Sequence, residues 1–151
     1  MPTPSTSRDD AVRLEELRGL QLLSNSVELE FDNLTQLASE ICDAPVALIS
    51  FVDEDRIGFK SRVGFDALYG PRERGFCSYV VQGDGPLVVE DAAADPRFQD
   101  NVDVQAPQGI RFYAGIPLVL SSGQAVGSLC VIDHKVRNLS AKQLGSLEKL
   151  A

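Results

Sequence analysis

The stretch GIRFYAGIPLVLSSGQAVGSLCVID, from Gly109 to Asp133, decides the fold because it is the longest apolar run in the chain. It is broken only at residues 121–124, and a short loop of Ser and Gly between two β-rich runs is typical of an antiparallel hairpin. Apolar side chains occupy both alternating sets of each predicted strand, so neither face is suited to water. We therefore predict that the hairpin lies inside a sheet that is covered on both faces.

Proline and glycine positions predict irregularities within this hairpin. Pro117 cannot donate to a β-ladder, which predicts a bulge or an unpaired stretch at that residue. Gly115 and Gly127 indicate that another group approaches the sheet closely, either a second backbone or a ligand. Strict alternation along the second strand places Val126 on the same face as Ser128.

Length and charge bound the class of protein. A chain of 151 residues is most simply one domain, because a domain of about 150 residues buries roughly 70% of its unfolded surface. We predict a disordered lead-in at residues 1–10, rich in Pro, Ser and Thr, and one domain over residues 11–151. A net charge of -8 without a dense basic cluster argues against nucleic acid and anionic membranes as partners. Because no apolar run approaches the length of about 18 residues that a membrane span requires, we expect no membrane insertion.

The cysteines predict neither a disulfide framework nor a metal site. Cys42, Cys77 and Cys130 are widely spaced and lack a CxxC pattern. The acidic turn at residues 53–55 lacks the glycine and the spacing of a calcium loop, and His134 is the only imidazole in the chain. We therefore expect no metal and a reducing, cytoplasmic compartment.

Amphipathic helices are predicted near both ends of the chain. Leucines recur every third residue between residues 14 and 23, and Asn25 followed by Glu28 resembles a capping box that opens a second helix. Ser140 and Gln143 form another capping box, which opens a last helix. The apolar faces of the terminal helices need a partner, and we expect them to pair within or between subunits. The leucines predicted to make a homodimer are Leu14, Leu17, Leu20, Leu144 and Leu147.

The middle of the chain is predicted to form strands that are joined by irregular crossings. Between Gly64 and Asp91 the pattern loosens into a connection with one short helix, and residues 91–108 form a long turn-rich crossing. A connection that long is usually functional or lid-like. The predicted elements of this part are the strands Val46–Val52, Arg56–Val63 and Leu87–Glu90 and the helix Phe76–Gln82.

A series of strings, read in order along residues 13–151, carries a family resemblance: RLEELRGLQLL, EFDNLTQLASEICDAPVALISFVDEDR, FKSRVG, RERGFCSYVV, LVVEDAAADPRF, GIRFYAGIPLV and GSLCVID. They resemble GAF domains, the small sensory modules at the front of bacterial histidine kinases and diguanylate cyclases. The resemblance implies an α+β fold with a central antiparallel sheet of five or six strands. It also implies helices on one face of that sheet and a ligand pocket, roofed by the crossings, on the other.

The resemblance leaves the ligand open. GAF domains use this pocket for cyclic nucleotides, bilins, haem or small metabolites, and many have no known ligand. Family members often carry WFK where this chain has Gly58, Phe59 and Lys60, and FCSHAI where this chain has Tyr79. A ligand that needed the missing indole or imidazole is therefore in doubt, and the cofactor stays unknown.

The predicted location of the pocket also indicates which residues would line it. For a small anion, Arg74 and Arg111 are the predicted donors and Asp91 is the predicted acceptor. The alternatives are that Arg74 lies in a solvated loop, which is the favoured interpretation of its position, and that Arg111 pairs structurally with Asp91. Phe98 can also serve only to plug the crossing. The full set of predicted ligand-binding residues is Phe59, Arg74, Cys77, Tyr79, Asp91, Phe98, Arg111 and Tyr113.

Cys77 is the residue with plausible reactivity, because the first turn of a helix stabilises a thiolate while burial opposes it. Free methionine-R-sulfoxide reductase, a GAF-fold enzyme, also uses a second cysteine on the later crossing, and residues 91–108 contain none. The Cys-His pair of bilin photoreceptors is absent from that crossing, and the NKxxF signature of cyclic-nucleotide binders is absent near residues 136–144. We expect no catalytic residue and no nucleophile pair around the pocket.

The predicted function is a non-catalytic sensory module. We expect the pocket to bind a small molecule and to bias the packing of the terminal helices, which pass the signal to an output kinase or cyclase domain. A ligand-free dimerisation scaffold is the alternative. A methionine sulfoxide reductase-like enzyme and a bilin photoreceptor are less favoured by the residues.

Overall fold

The chain has an α+β fold. The structure is a computed structural model that describes residues 11–15, 29–54, 56–66, 69–71, 75–83, 85–107, 109–120 and 122–151. The strands are β1 (Val46–Val52), β2 (Arg56–Val63), β3 (Tyr69–Pro71), β4 (Leu87–Val89), β5 (Phe112–Val119) and β6 (Ala125–Asp133). They form a 6-stranded antiparallel sheet in the order β3-β2-β1-β6-β5-β4. The β5–β6 hairpin lies inside the sheet, as its two apolar faces predict.

Helices cover both faces of this sheet. They are α1 (Leu29–Cys42), α2 (Phe76–Gln82), α3 (Val102–Gln105) and α4 (Ala141–Leu150), and residues 11–15 are also helical. The helices α1 and α4 pack together on one face, and α2 packs on β1, β5 and β6 from the other. None of these described helices has the length and hydropathy needed to span a bilayer.

Several boundaries match the sequence predictions. The strands β1 and β2 and the helix α2 begin and end at the predicted residues. The capping box that opens α4 is present, with Ser140 accepting from the backbone of Gln143 and the Gln143 side chain accepting from the backbone of Ser140. The predicted lead-in at residues 1–10 and the box at Asn25 and Glu28 lie outside the described residues.

The sequence analysis missed two short elements and predicted one strand that is one residue too long. The strand β3 pairs with β2 within a stretch that the sequence analysis treats as a loose connection, and α3 lies within the predicted turn-rich crossing. The third predicted strand ends one residue early, at Val89. Elements of three or four residues are too short to show a hydrophobic period, so no pattern could have indicated them.

The irregularity in the hairpin lies near Pro117 but not at it. Pro117 is in register opposite Ser128, and the register shifts between Leu118 and Val119. The strand β4 reaches only as far as Gly115, so Pro117 lies beyond the part of β5 that β4 pairs. Pro117 is therefore paired with β6 but not with β4, so the expectation of an unpaired stretch is met only on the β4 side.

The bulge changes which face Val126 occupies. Strict alternation predicted that Val126 shares a face with Ser128, but Val126 packs with Leu129 in the core beneath α1 and α4. The extra residue at the bulge reverses the side-chain alternation on one side of the shift. The prediction was wrong because a bulge cannot be read from alternation itself.

The core beneath α1 and α4 contains two of the leucines that the sequence assigned to a homodimer. Leu147 is 0% exposed there, and Leu144 is partly buried against the same cluster. Leu14, in the helical segment at residues 11–15, is 7% exposed. Leu17 and Leu20 lie outside the described residues. Leu14 and Leu147 are therefore covered within the chain itself, and their side chains are not available to a second copy in this conformation.

Aromatic side chains fill the opposite layer, between the sheet and the crossings. Phe98 is fully buried and stacks on Phe76 with ring centroids 4.1 Å apart. Phe76 in turn lies 4.9 Å from the ring of Tyr113, and Tyr79 packs edge-on against Phe98 at 5.0 Å. This aromatic layer fixes α2 and residues 91–101 against the sheet.

Candidate functional site

A cavity of about 340 Å³ lies on the sheet face opposite α1 and α4. Its floor comes from the central strands and from β2, and its roof comes from the start of α2 and from Asp103, Ala106, Gly109 and Ile110. The residues that line it are Leu48, Ile57, Phe59, Phe65, Tyr69, Gly70, Gly75, Phe76, Cys77, Asp103, Ala106, Gly109, Ile110, Tyr113, Ile132 and His134. This is the location that the family resemblance implies for a ligand pocket.

Close backbone packing shapes the roof of the cavity. A Cβ atom at Gly109 would collide with the carbonyl oxygens of Val104 and Ala106, so only glycine allows the crossing to fold back onto α3 before β5 begins. The Arg111 guanidinium donates hydrogen bonds to the carbonyls of Val104 (2.6 Å) and Ile110 (3.0 Å). These contacts hold the end of the crossing over the sheet.

Glycine also positions Tyr113 in the floor. An added Cβ at Gly115 would lie 2.5 Å from the Tyr113 hydroxyl oxygen, so the absence of that atom lets the tyrosine ring lie along its own strand. At Gly127 the colliding group would be the carbonyl of Ser50 on β1. The close approaches predicted for these two glycines are therefore made by a side chain and by a neighbouring backbone.

The structure places three of the predicted site residues in the cavity wall and four outside it. Phe59, Cys77 and Tyr113 line the cavity. Tyr79, on α2, and Phe98 pack against each other in the aromatic layer, where Phe98 stacks on Phe76. Arg74 lies outside the described residues.

The other two predicted residues have structural contacts. Arg111 binds the carbonyls of the crossing, as described above, and the Asp91 carboxylate accepts a 3.2 Å hydrogen bond from the backbone of Ala93. A backbone bond joins Ala92 to the carbonyl of Arg111 at 2.7 Å. An Arg111–Asp91 ion pair, the alternative considered from sequence, is not among the ion pairs of the described residues.

Sequence reasoning missed most of the cavity wall. Asp103 and Ile110 come from the crossing, whose fold no periodic pattern predicts, and Phe65 and Tyr69 come from the loose connection. His134 follows β6 directly and is the only histidine of the chain, which was the one available signal. Asp103 and His134 give this mostly apolar wall its ionisable groups besides Cys77 and the tyrosines.

A buried cluster of polar side chains surrounds Cys77 at one end of the cavity. The Ser50 hydroxyl donates to Cys77 Sγ at 3.0 Å, and the Tyr113 hydroxyl donates to the same sulfur at 3.6 Å. Ser128 lies 3.1 Å from Ser50 and 3.5 Å from the Tyr113 hydroxyl. Cys130, two residues after Ser128 on β6, packs in the core cluster beneath α2. All of these side chains are buried.

The hydrogen bonds set the acidity of the two thiols in opposite directions. The hydrogen bond from Cys130 is the largest influence on Cys77 and, with those from Ser128, Ser50 and Tyr113, lowers its pKa from 9.0 to about 6 against the opposing effect of burial. The pKa of Cys130 is raised, first by the same hydrogen bond to Cys77 and then by burial. Cys77 is therefore the member of the pair that ionises first, and Cys130 keeps its proton.

Cys130 is the cysteine whose side chain most strongly influences the pKa of Cys77, and it does not line the cavity itself. The sequence analysis searched residues 91–108 for a partner, whereas the partner comes from the central strand β6. Ser50 and Ser128, also missed, are directly opposite each other on β1 and β6. The available signal was a polar residue at the centre of each of two otherwise apolar strands.

The described residues contain no group of three or more His, Cys, Asp or Glu side chains arranged to hold a metal ion. The cavity offers an apolar wall with a few polar groups and the thiol of Cys77.

Comparisons with known proteins agree on the fold. Residues 26–151 match the family profile described as the GAF domain. A cyclic di-GMP phosphodiesterase of Pseudomonas aeruginosa is 39% identical over 152 residues, which cover 100% of this chain and 26% of that protein. The chain thus spans about a quarter of the length of that curated relative.

Solved structures of low sequence identity share the architecture. The GAF domain of a phosphoenolpyruvate-protein phosphotransferase from Acinetobacter is 20% identical with a TM-score of 0.65, and the match covers 95% of this chain and 89% of that one. A free methionine-R-sulfoxide reductase from Neisseria meningitidis, in complex with its substrate, is 21% identical with a TM-score of 0.61 and coverage of 97% and 89%. At these identities the likeness establishes the fold alone.

Proposed function

The chain belongs to the GAF domain family, and we propose that it is a non-catalytic regulatory module whose cavity binds a small molecule. The observation that carries the proposal is the cavity of about 340 Å³ between the sheet and the crossings. Pockets of roughly 300–1,000 Å³ with apolar walls and a few polar groups are typical of small-molecule sites. The location on the sheet face opposite the helices α1 and α4 supports the same assignment.

The wall favours a flat, largely apolar ligand. Aromatic rings from Phe59, Phe76 and Tyr113 border the cavity, and such rings stack against planar ligand faces. Asp103 and His134 are placed to orient a polar group of that ligand. Arg111, the donor that the sequence proposed for an anion, is held by backbone carbonyls of the crossing instead.

We also propose a route from the cavity to the helices α1 and α4. His134 borders the cavity, and Arg137, three residues further on, donates to the backbone carbonyls of Cys42 and Asp43 at the end of α1. Arg137 also pairs with Asp133 at 3.0 Å, and α4 follows shortly afterwards. A ligand that moves His134 therefore shifts the contact that fixes α4 relative to α1.

The output of this route is proposed to be a domain that hydrolyses a cyclic dinucleotide. The relative from Pseudomonas aeruginosa is named as a cyclic di-GMP phosphodiesterase, and this chain corresponds to 26% of it. A kinase or cyclase domain remains the other class of output. The free, buried cysteines of this chain favour a reducing, cytoplasmic compartment.

A ligand screen with a blocked cavity tests the proposal. The chain is melted with cyclic nucleotides, cyclic di-GMP, haem, a bilin and aromatic metabolites, and a ligand at 100 times its Kd adds about 2.7 kcal/mol to the unfolding free energy. Ala106 lies in the cavity wall and is exposed, so Ala106→Trp fills the cavity without disturbing the core. Ala93, exposed and outside the wall, provides the matched control Ala93→Trp.

The expected result is a melting temperature that rises with one compound in the wild type and in Ala93→Trp but not in Ala106→Trp. A shift that survives Ala106→Trp places the ligand elsewhere and contradicts the assignment. If no compound shifts the melt and native mass spectrometry finds no bound molecule, the chain acts as a scaffold. Light scattering of the purified chain then measures whether it dimerises.

A further inference from the structure

The proposed ligand binding and the proposed route to the helices do not depend on the thiol chemistry of Cys77 and Cys130. Cys77 borders the cavity although its side chain is only 4% exposed, and Cys130 is 0% exposed. Cys77 belongs to the roof helix α2, and Cys130 belongs to the central strand β6 and packs in the core cluster beneath that helix. A small solute in the cavity therefore reaches Cys77 before it reaches Cys130.

We propose that Cys77 and Cys130 form an oxidation site, at which a peroxide that enters the cavity converts the two thiols into a disulfide between α2 and β6. This inference goes beyond ligand binding, since it uses the cavity only as an entrance. It assigns Cys77 as the thiol that reacts and Cys130 as the thiol that resolves.

The hydroxyl groups around Cys77 explain why it reacts first. Ser50 and Tyr113 both donate to Cys77 Sγ, and donors that point at a sulfur stabilise the thiolate over the thiol. The thiolate is the form that attacks a peroxide. The titratable groups that face Cys77 from the packed elements are Tyr113 on β5 and Cys130 on β6, and both hold their protons when Cys77 ionises.

The reaction balances with the peroxide as the oxidant. The Cys77 thiolate attacks one peroxide oxygen, the O–O bond breaks, and Cys77 becomes a sulfenic acid while the other oxygen leaves as hydroxide or alkoxide and takes up a proton. Cys130 Sγ then attacks the sulfenic sulfur, loses its proton and releases water. Two thiols are oxidised by two electrons and the peroxide is reduced by two.

The third cysteine provides an internal control. Cys42 is also 0% exposed, but it lies at the end of α1 in the core on the other face of the sheet. Burial raises the pKa of its thiol, and it does not line the cavity. Cys42 should therefore stay reduced under conditions that oxidise the pair.

The test treats the folded chain with hydrogen peroxide, alkylates the remaining thiols and maps the peptides without reduction. We expect a Cys77–Cys130 cross-linked peptide, the loss of two hydrogens in the intact mass and an alkylated Cys42. Cys130→Ser should stop the reaction at a sulfenic acid that dimedone captures, whereas Cys42→Ser should still form the disulfide. Ala106→Trp should slow the reaction several-fold relative to Ala93→Trp, because it obstructs the entrance.

Two results overturn the proposal: thiols that remain unreacted while circular dichroism shows the fold intact, or oxidation that falls on Cys42 as readily as on the pair. The peptide map of the wild-type chain tests disulfide formation without any substitution, so a variant that misfolds does not prevent the test. A chain that binds a ligand but resists peroxide loses this inference and keeps the proposed function. A chain that binds no compound but forms the disulfide keeps this inference and loses the proposed function.

Discussion

Ser50 Oγ lies 3.0 Å from Cys77 Sγ, so that a hydroxyl of the central strand β1 donates to a thiol of the roof helix α2. A hydrogen bond to a charged group contributes about 1.5–3 kcal/mol, which corresponds to a pKa change of about 1 to 2. Ser50→Ala should therefore raise the pKa of Cys77 by about that amount. The pH dependence of iodoacetamide alkylation, followed by mass spectrometry at Cys77, measures it.

Ser39→Ala is the matched control for this loss of a hydroxyl. Ser39 Oγ donates to the carbonyl of Ala44 at 2.6 Å, and Ala44 belongs to the core beneath α1 and α4. Ser39→Ala should therefore leave the pH dependence of Cys77 alkylation unchanged. Equal profiles for Ser50→Ala and the wild type would show that the hydroxyl does not stabilise the thiolate.

The depressed pKa of Cys77 predicts how stability varies with pH. Its pKa falls from 9.0 to about 6 in the folded chain, mainly through the hydrogen bond from Cys130, so the folded state favours the thiolate. This contribution is present above pH 9 and is lost as the pH falls through about 6. The difference in unfolding free energy between the wild type and Cys77→Ser should therefore increase from pH 6 to pH 9, measured by urea denaturation. A difference that is constant over this window contradicts the assignment.

The aromatic layer should respond strongly to truncation of Phe98. Its ring is fully buried and stacks on Phe76 at 4.1 Å, and replacement of a buried Phe by Ala typically costs about 3–5 kcal/mol. Phe98→Ala should lower the unfolding free energy by about that amount, as measured by urea denaturation. Val102→Ala, at a side chain that is 60% exposed, should change it by less than about 0.5 kcal/mol. A small effect of Phe98→Ala would mean that the layer repacks.

Two glycines should respond to alanine with opposite signs. At Gly127 an added Cβ collides with the backbone of Ser50, so Gly127→Ala should separate β1 from β6 and prevent cooperative folding. At Gly145, within α4, nothing lies within 4 Å of the added atom. Gly145→Ala should therefore stabilise the chain by about 0.5–1 kcal/mol through the higher helix propensity of alanine. Thermal denaturation of both variants checks the signs, and a tolerated Gly127→Ala would contradict the close strand pairing.

Regular elements followed from the local pattern. The continuous apolar run of β1 and the limits of α2 set by Gly83 needed no tertiary information, and the capping box at Ser140 fixed where α4 begins. The interior position of the hairpin followed from its two apolar faces. Each of these features depends on residues that are neighbours in sequence, which is why alternation, helical period and caps could reveal them.

The cavity wall did not follow in the same way. Asp103 and Ile110 reach it because the crossing folds back at Gly109, and Arg111, which the sequence placed in the pocket, turns to hold that crossing. The bulge that moves Val126 to the other face is likewise a property of strand pairing. Contacts of this kind join residues that are far apart along the chain, and no local pattern records them.

The sequence by itself determined the family, the order of the elements and the apolar sheet, since these depend on side-chain periodicity and on motifs within short stretches. Only the tertiary structure decided that Cys77 accepts a hydrogen bond from Ser50, a residue 27 positions earlier in the chain. It also decided that Leu147 belongs to the core of the chain instead of an exposed helix face. The physical reason is that burial and side-chain contact are set by how the helices dock on the sheet, and docking depends on the whole chain at once.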